Sequence, residues 1–516
     1  MKKILFSILF LGGLLLPTSC NMNHEPIGSI IDENAMQTID DCEHFRNACY
    51  VNIQALTTGG YIAYPEIQMD MFVGVVSNGN QMGAISTGNI ISSDSDFEGV
   101  WAGLYNAIAN CNFYFKYAPN VTLDEWGEGQ KLQYDRYWAE IQFTRAYYYY
   151  RLLDFFCPPY NEANKDKKYG LPIVTDYYPT AHKDVYPSRS TLDETYAFIE
   201  KDLSEAYTKL KAYEDNSGDK SNLQPMAPYI STYVIRALQA RLALLKTDYK
   251  AAAKYANEII DSKIYPISAR IAYKNMWDKD ANNEIIFEPV STATEPNVGS
   301  TGNYWNQNDE YTSWYIPVPE LAEIGPDKVY DDPSDVRYEA FVGTRDLRIN
   351  GQLVKSPTFN KYPGNPELVN SMYVMLNKSK PFRVSEMYLI VAEASYEQNE
   401  PATANKMLNE IRKNRYRNYT EKTYANEELR DQIRKERLRE LIGEGFRMSD
   451  LRRWGLGFTR TVDDYVDYPG LAENTVVAGR GVTYQPNDYR YTWPIPSAEI
   501  QVNPHMTGQQ NPGYTN

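Results

Sequence analysis

The sequence predicts a mainly α-helical protein: a tetratricopeptide-like scaffold of helical pairs, interrupted by long irregular loops and a few short strands. Apolar residues recur at helical spacing along most of the chain. Two segments, Tyr229–Asp261 and Val384–Arg415, each resemble a pair of antiparallel helices joined by a tight turn, the unit of tetratricopeptide-like folds. Three long stretches lack this periodicity: Thr57–Ser95, Pro158–Ser190 and Pro266–Pro381.

Several of the predicted helices have recognisable first residues. Asp248 precedes the run YKAAAKYANEII as an N-cap, and Pro401 suits the first position of a helix. A short strand is expected at Glu284–Glu288 (EIIFE). The predicted helices are Asp41–Leu56, Asp96–Tyr117, Leu132–Phe155, Leu192–Tyr213, Tyr229–Leu245, Tyr249–Ser262, Val384–Gln398, Pro401–Arg415 and Asn426–Ile442.

The N-terminus has the order of an export signal. Lys2 and Lys3 precede the apolar run Ile4–Leu16, which is followed by Pro-Thr-Ser and Cys20. Such a run is short for a membrane span, and ending at cysteine predicts a lipoprotein in which the thiol of Cys20 receives the lipid. An ordinary secretory signal with an incidental cysteine is the alternative, and Pro17 stands where an aliphatic residue is common.

These features predict a signal peptide over residues 1–19 and one domain over 20–516. Within that domain we expect an N-terminal helical part (20–265), a loop-rich ligand-binding insertion (266–381) and a C-terminal helical part (382–516). Loops this long in a compact protein are usually functional or disordered, and these are too aromatic for disorder. Function is therefore expected in the loops, held by the helices.

Charge and cysteine usage exclude several classes of protein. The net charge is −15, and removal of Lys2 and Lys3 with the signal makes it −17, so nucleic acid is an unsuitable partner. Cys42 and Cys49 lie two helical turns apart, about 10 Å along the axis, too far for a disulfide. With Cys111 and Cys157 they form neither a disulfide framework nor a zinc pattern, so buried thiols are expected.

Metal and catalytic signals are weak. Asp278, Asp280 and Asn282 begin like an EF-hand loop, but Asn283 replaces the required glycine, so a polar loop is the better interpretation. The histidines show no ligand spacing, and the GxSxG, HExxH and P-loop motifs are missing from the sequence. We therefore expect no cofactor, no metal and no enzyme, although paired carboxylates of a glycosidase have no sequence signature.

The segment Ile433–Trp454 combines an apolar helical stripe with many charges. Leu438, Leu441 and Ile442 form the stripe, and Gly443 and Gly445 suit its C-terminal end. Its carboxylates admit two interpretations, catalytic acids or partners of neighbouring arginines, and the abundance of arginine favours the second. The carboxylates are Glu440, Glu444 and Asp450, and the expected arginines are Arg437, Arg447 and Arg452.

This corner resembles the SusD/RagB family of glycan-binding outer-membrane lipoproteins of the Bacteroidota. The helical pair Phe382–Arg415 and the tail Trp493–Tyr514 (WPIPSAEIQVNPHMTGQQNPGY) carry the same resemblance, in the order of the family. A weaker likeness lies at Trp101–Asn112. These motifs are architectural, so they identify the family without naming a ligand.

Aromatic and amide residues are mixed between Trp277 and Tyr315. Aromatic faces stack on pyranose rings while amides and carboxylates bind hydroxyls, so this mixture predicts a neutral glycan site; the alternative is that the rings pin a long loop to the scaffold. The candidate contacts here are Trp277, Tyr304, Trp305, Asn306, Tyr311 and Trp314. Among them, Trp305 with Tyr304 and Trp277 is expected to form the stacking platform, whereas Trp314, which runs into IPVPEL, is the one most expected to be structural. A second candidate group, in the 57–89 loop, is Tyr61, Tyr64, Asp70 and Asn80.

The resemblance implies a lipid-anchored, non-enzymatic protein at the cell surface. Such a protein captures oligosaccharides and delivers them to a SusC-like TonB-dependent transporter of the outer membrane. The alternatives are the same architecture carrying peptides, a secreted glycoside hydrolase, and a bare adaptor of the tetratricopeptide type. Long aromatic loops argue against the last, and the missing motifs argue against the hydrolase.

Overall fold

A computed structural model gives the fold of the protein. It describes residues 35–75, 83–122, 127–292, 300–307, 311–349, 351–368, 375–460, 465–473, 477–478 and 481–515. The expected lipid attachment residue Cys20 and the candidate contact Asn80 lie outside this described part. No helix within the described ranges is both long enough and apolar enough to span a bilayer.

Helices dominate the described chain. They are α1 Ile39–Leu56, α2 Gly60–Ile67, α3 Gly83–Thr87, α4 Ser95–Tyr117, α5 Glu128–Phe156, α6 Leu192–Asn216, α7 Thr232–Leu245, α8 Tyr249–Ser262, α9 Arg270–Tyr273, α10 Asn275–Asp278, α11 Pro319–Ala322, α12 Val336–Phe341, α13 Val384–Glu397, α14 Pro401–Arg412, α15 Asn426–Leu441, α16 Arg447–Trp454, α17 Pro469–Glu473 and α18 Ser497–Val502. The mainly helical fold class is thereby confirmed.

The strands are short and form small antiparallel sheets. In one sheet the order is β3-β1-β8, and the other pairs are β2 with β6, β4 with β5, and β7 with β9. The strands are β1 Phe72–Val75, β2 Ile285–Phe287, β3 Tyr315–Pro317, β4 Val342–Ile349, β5 Gln352–Phe359, β6 Phe382–Arg383, β7 Phe458–Thr459, β8 Val477–Ala478 and β9 Thr483–Tyr484.

Every helix predicted from periodicity is present, with ends within four residues of the prediction. The prediction that Thr57–Ser95 and Pro266–Pro381 are irregular was wrong in part, because α2 and α3 lie within the first stretch, and α9 to α12 with the hairpin β4–β5 lie within the second. These helices are too short for a periodic pattern, and α2 contains Pro65. The expected strand at Glu284–Glu288 is confirmed as β2.

The helical scaffold packs as neighbouring pairs. Helix α5 lies against α4 and α6, α7 against α8, and α13 against α8, α14 and α15. The interior of α5 is aromatic: Tyr147, Tyr148, Tyr149 and Tyr150 are all buried, as expected for inter-helix packing. The cysteines at 42, 49, 111 and 157 are buried free thiols.

The EF-hand-like run is an anchor for a loop. The carboxylate of Asp280 is buried and accepts hydrogen bonds from the side chains of Asn365 and Asn377 at 2.9 and 3.0 Å. Its cationic partner is Lys380, whose Nζ lies 2.5 Å away. The polar-loop interpretation therefore holds for this segment.

The charged face of α15 is buried, which periodicity does not reveal. Glu440 accepts hydrogen bonds from Arg337, Arg383 and Arg415 at distances of 2.9–3.1 Å, and all these side chains are almost fully buried. Burial acts to raise the pKa of Glu440, but the guanidinium groups of Arg415 and Arg383 outweigh it and hold this pKa well below its usual range.

The other two carboxylates of the corner are structural as well. Asp450 pairs with Arg437 at 2.8 Å, as expected, and Glu444 pairs with Arg383 and Lys361. The other expected arginines have different partners: Arg447 binds Asp70 and Arg452 binds Asp154. Glu440 and Asp450 are buried, and Glu444, which is partly exposed and lines a cavity, is held by Arg383 and Lys361, so the structural interpretation of the corner agrees with the geometry.

The end of α15 is fixed by a carboxylate from α2. Glu66 is fully buried and accepts the backbone N–H groups of Gly443, Gly445 and Phe446 at 2.8–3.0 Å. Burial raises the pKa of Glu66 to about 7. Gly443 has a φ of +81°, and a Cβ there would lie 2.6 Å from the ring of Phe359, so both conformation and space require glycine.

Candidate functional site

The two candidate loop regions meet in one small sheet. Strand β1 follows α2 in the first region, and β3 follows Trp314 in the second; they pair with Gly74 opposite Tyr315. The backbone N–H of Val75 also donates to the carbonyl of Trp314 at 2.8 Å. Segments more than 200 residues apart are thereby held side by side; α2 contacts β1, and α11 contacts β3.

Three of the predicted contacts form an aromatic cluster at this junction. The ring of Tyr304 lies edge-on to Tyr64 at 5.9 Å and to Trp314 at 5.7 Å. Tyr64 and Tyr304 are mostly buried, whereas Trp314 is partly exposed. Trp314 is therefore the member of this cluster that a ligand can reach; Tyr304 packs against its ring, and Tyr64 packs against Tyr304.

A carboxylate lies behind the cluster. The hydroxyl of Tyr64 donates to Oδ1 of Asp96 at 3.3 Å, and Asp96 is in the first turn of α4. Burial raises the pKa of Tyr304 to about 12, and burial together with the charge of Asp94 raises the pKa of Asp96. At neutral pH both tyrosine hydroxyls are protonated, so the cluster offers hydrogen-bond donors and acceptors to a ligand.

The structure corrects the assignment of Trp277, Trp305 and Asn306 as ligand contacts. Each is at most 1% exposed. Trp305 packs between Phe72 and Phe359, with ring centroids 5.1 Å from each, and Asn306 donates to the carbonyl of Phe359 at 2.8 Å. In this conformation none of the three has a surface for a sugar: Trp305 and Asn306 pin the 300–307 segment to the core, and Trp277 packs against Phe341 and Tyr362.

Trp277 faces a buried cation. The Nζ atom of Lys361 lies 4.5 Å from the centroid of the Trp277 ring and donates to the carbonyl of Ile442 and to Glu444. Burial lowers the pKa of Lys361 to about 8, in spite of the charge of Glu444. A cation over an indole in a desolvated site stabilises the fold, which explains the aromatic residue at position 277 without a ligand.

Three further candidates have different surroundings. Asp70 is corrected too, because both of its carboxylate oxygens accept from Arg447, at 2.8 and 2.5 Å. Tyr61 packs against α4, where a Cβ on Gly103 would touch its hydroxyl. Tyr311 is partly exposed, and its ring centroid lies 5.6 Å from the guanidinium of Arg348. Among the predicted aromatic contacts with described positions, Tyr61, Tyr311 and Trp314 are partly exposed.

The arrangement suits recognition by contact. Partly exposed rings beside tyrosine hydroxyls can cover a sugar face and bind its hydroxyls. In the described ranges no three His, Cys, Asp or Glu side chains are close enough together to hold a metal ion. Asp96 is the residue of this cluster that the sequence did not single out. An acidic residue in the first turn of a helix is common, so its presence in α4 needed no further explanation. Its partner Tyr64 is distant in the sequence, so the contact leaves no local signal.

Comparisons with known proteins identify families and structures that this chain resembles. A family model described as "SusD family" matches residues 294–514, and one described as "Starch-binding associating with outer membrane" matches residues 31–220. The two matches follow each other along the chain and include both loop regions that supply the aromatic cluster.

Individual relatives cover different shares of the chain. "SusD-like protein P25" of Formosa agariphila is 34% identical over 138 residues, which is 26% of this chain and only 24% of that protein. "Starch-binding protein SusD" of Bacteroides thetaiotaomicron is 25% identical over 447 residues, or 73% of this chain and 72% of that protein. The chain therefore spans about a quarter of the first relative's length and most of the second's.

The fold is shared over nearly the whole length. A crystal structure of a SusD superfamily protein from Bacteroides thetaiotaomicron superposes with a TM-score of 0.74 at 24% identity, covering 92% of this chain and 100% of that one. At this identity the likeness establishes the fold alone. With both family models matched in order and the same fold from end to end, the chain belongs to the SusD family.

Proposed function

We propose that this protein is a non-enzymatic glycan-binding protein, and that its ligand is a neutral oligosaccharide held at the junction of β1 and β3. The observation that carries the proposal is the partly exposed indole of Trp314, oriented by Tyr304 beside the Tyr64–Asp96 hydrogen bond. A relative of this family carries the name "Starch-binding protein SusD", which supports a carbohydrate ligand.

Electrostatics favour a neutral ligand at this place. The chain is acidic, with a net charge of −15, so polyanionic glycans are repelled overall. The nearest carboxylate of the cluster, Asp96, accepts the hydroxyl of Tyr64, and Asp70 is neutralised by Arg447. Sugar hydroxyls and C–H faces match the remaining surface better than a charged group does.

Replacing Trp314 tests this proposal. We expect Trp314→Ala to weaken binding of a neutral oligosaccharide by about 1 to 3 kcal/mol, by analogy with stacking on other flat ligands, which is roughly a tenfold to hundredfold rise in Kd. Binding should depend little on salt, since no ion pair is involved. The measurement is calorimetry with hexasaccharides of glucans, mannans and xylans, preceded by gel electrophoresis through the matching polysaccharides.

A matched control separates contact from stability. Trp138 on α5 is also partly exposed and packs against Phe115 in a tilted orientation at 4.9 Å, but it lies on the helical scaffold outside both loop regions. Trp138→Ala should leave the Kd unchanged, and Trp314→Phe should retain part of the affinity. Equal affinities for wild type and Trp314→Ala, in proteins of equal thermal stability, would reject the site; binding of peptides instead of sugars would favour the peptide-carrying alternative.

We further propose that the protein is anchored to the outer membrane by a lipid on Cys20, faces the cell surface, and delivers its ligand to a SusC-like TonB-dependent transporter. The order of basic residues, apolar run and Thr-Ser-Cys supports the anchor. One matching family description, "associating with outer membrane", supports the location. The transporter is the partner that family membership implies.

Removing the Cys20 thiol tests the anchor. We expect Cys20→Ala to move the protein from the membrane fraction to the periplasm, or to leave the signal uncleaved, because no thiol remains to accept the lipid. Fractionation with a radiolabelled fatty acid gives the measurement, and Cys42→Ala, a buried cysteine, is the control. Wild type that takes up no label, with a variant that stays in the membrane, would contradict the anchor.

A further inference from the structure

A second concave site lies where the loop after α5 meets the C-terminal tail. It encloses about 400 Å³, a volume within the range of small-molecule sites. Its walls are formed by segments 158–169, 487–492 and 511–512. We call it the tail groove. It shares no lining residue with the cluster of Tyr64, Tyr304 and Trp314.

Tyr489 is the most exposed of the three tyrosines that line the tail groove, Tyr169, Tyr489 and Tyr491. The side chain of Tyr489 is 47% exposed, and the ring of Tyr514 packs edge-on against it at 4.9 Å. The backbone at Gly513 lies against the same ring, so close that a Cβ there would be 2.3 Å from its Cγ and Cδ2 atoms. The tail thus holds the ring in place from one side, while about half of the side chain stays open to a ligand.

Exposed amides accompany this ring. Asn487 adopts a left-handed conformation with a φ of 60°, and its Oδ1 lies close to Gly455, where an added Cβ would be 2.9 Å away. Asn161, on the opposite wall, is exposed and accepts the N–H of Ala163 at 3.0 Å. Both amides have donor and acceptor capacity left for a ligand within the contacts of the described ranges.

The charges around the tail groove are largely neutralised. Arg452 at its floor pairs with Asp154 at 2.7 Å and donates to the carbonyl of Tyr491 at 3.2 Å. The carboxylate of Asp488 accepts two hydrogen bonds from the guanidinium of Arg490, at 2.7 and 2.9 Å. These internal pairs leave the groove with aromatic, amide and proline surface and with Lys167 as an exposed cation on its rim.

We propose that the tail groove is a second binding site for a neutral, hydroxyl-rich ligand, an oligosaccharide segment that stacks on Tyr489 and hydrogen-bonds to Asn487 and Asn161. This proposal rests on the proposed function for the class of ligand, but on separate residues for the place. A long glycan chain that touches both sites is held by avidity, because the second contact becomes intramolecular. A fixed ring and a rigid floor limit the entropy lost on binding.

The variants Tyr489→Ala, Tyr489→Phe, Trp314→Ala and the double alanine variant separate the two sites. The test is electrophoresis through gels that contain soluble starch, β-1,3-glucan, mannan or xyloglucan, followed by calorimetry with the hexasaccharide of each polysaccharide that retards wild type. Tyr178→Ala is the matched control, since Tyr178 is 63% exposed in the same loop region but lies outside the groove. Thermal denaturation of each variant checks its folding.

We expect wild type to bind at two sites, Tyr489→Ala to lose one of them with at least a tenfold rise in Kd, and Tyr489→Phe and Tyr178→Ala to behave as wild type. The double variant should migrate freely.

If Tyr489→Ala matches wild type while Trp314→Ala is impaired, the tail groove is rejected and the proposed function stands. If Trp314→Ala matches wild type while Tyr489→Ala is impaired, the proposed place at β1 and β3 fails and the groove is the site. Wild type retarded by none of the polysaccharides, or a groove that binds a neutral octapeptide instead, overturns the proposal.

Discussion

Glu440→Ala is expected to lower the free energy of unfolding by about 3 to 5 kcal/mol, the usual loss when one partner of a buried ion pair is removed. The reason is that Arg337, Arg383 and Arg415 all converge on this carboxylate and are themselves buried. Their remaining partners, such as Asp335 and Glu284, cannot fill the position of Glu440. The measurement is the denaturation midpoint in urea, followed by circular dichroism.

The same helix supplies the control for this prediction. Glu428 on α15 is exposed, and Glu428→Ala should change stability by no more than about 0.5 kcal/mol, as is usual for surface positions. The glycan affinity of folded Glu440→Ala should equal that of wild type, because the ion network is internal. Equal denaturation midpoints for the two variants would show that the network contributes nothing; loss of a polysaccharide-hydrolysing activity at unchanged stability would favour the hydrolase alternative.

The scaffold was predictable because its signals are local. The apolar stripe of a helix such as α8, with Asp248 as its cap, depends only on residues within a few positions of each other. The short helices α2 and α3 were not predicted, since one or two turns carry no period. The likeness of the corner Ile433–Trp454 to a known family gave the fold further support, which the family match at 294–514 bears out.

The sequence does not show whether a charged residue of a helix is exposed or buried. The carboxylates of α15 read as an exposed face in the sequence, yet Glu436 and Glu440 are fully buried. Their partners come from β6, α12 and α14, far away in the sequence, so that only the tertiary structure reveals the pairing. Arginine-rich surroundings did indicate a structural role, although they did not identify the pairs.

The aromatic candidates show the same limit. A loop with tyrosine, tryptophan and asparagine can either bind a sugar or fasten itself to the core, and composition is identical in both cases. The structure separates them by exposure: Trp314 is accessible, whereas Trp305, nine residues earlier, is enclosed. Which ring turns outward depends on the pairing of β1 with β3, a contact between distant segments.

Trp305→Ala is expected to destabilise the protein without a direct loss of ligand contact. The indole has 0% exposure and packs against Phe72, Phe359 and Tyr362, so its truncation leaves a large cavity. The loss for such a substitution is about 3 to 5 kcal/mol of unfolding free energy. The Kd of the folded protein for a glycan should change less than in Trp314→Ala, since Trp305 supports the site from inside.

A smaller substitution at the same position gives the matched control. Within the described ranges Nε1 of Trp305 has no hydrogen-bond partner, so Trp305→Phe removes volume but no hydrogen bond and should cost less stability than alanine. Urea denaturation and calorimetry on the three proteins separate stability from affinity. If Trp305→Ala kept the wild-type midpoint and lost affinity tenfold, the indole would have to face the ligand in another conformation, and the stacking role predicted from the sequence would apply to Trp305 after all.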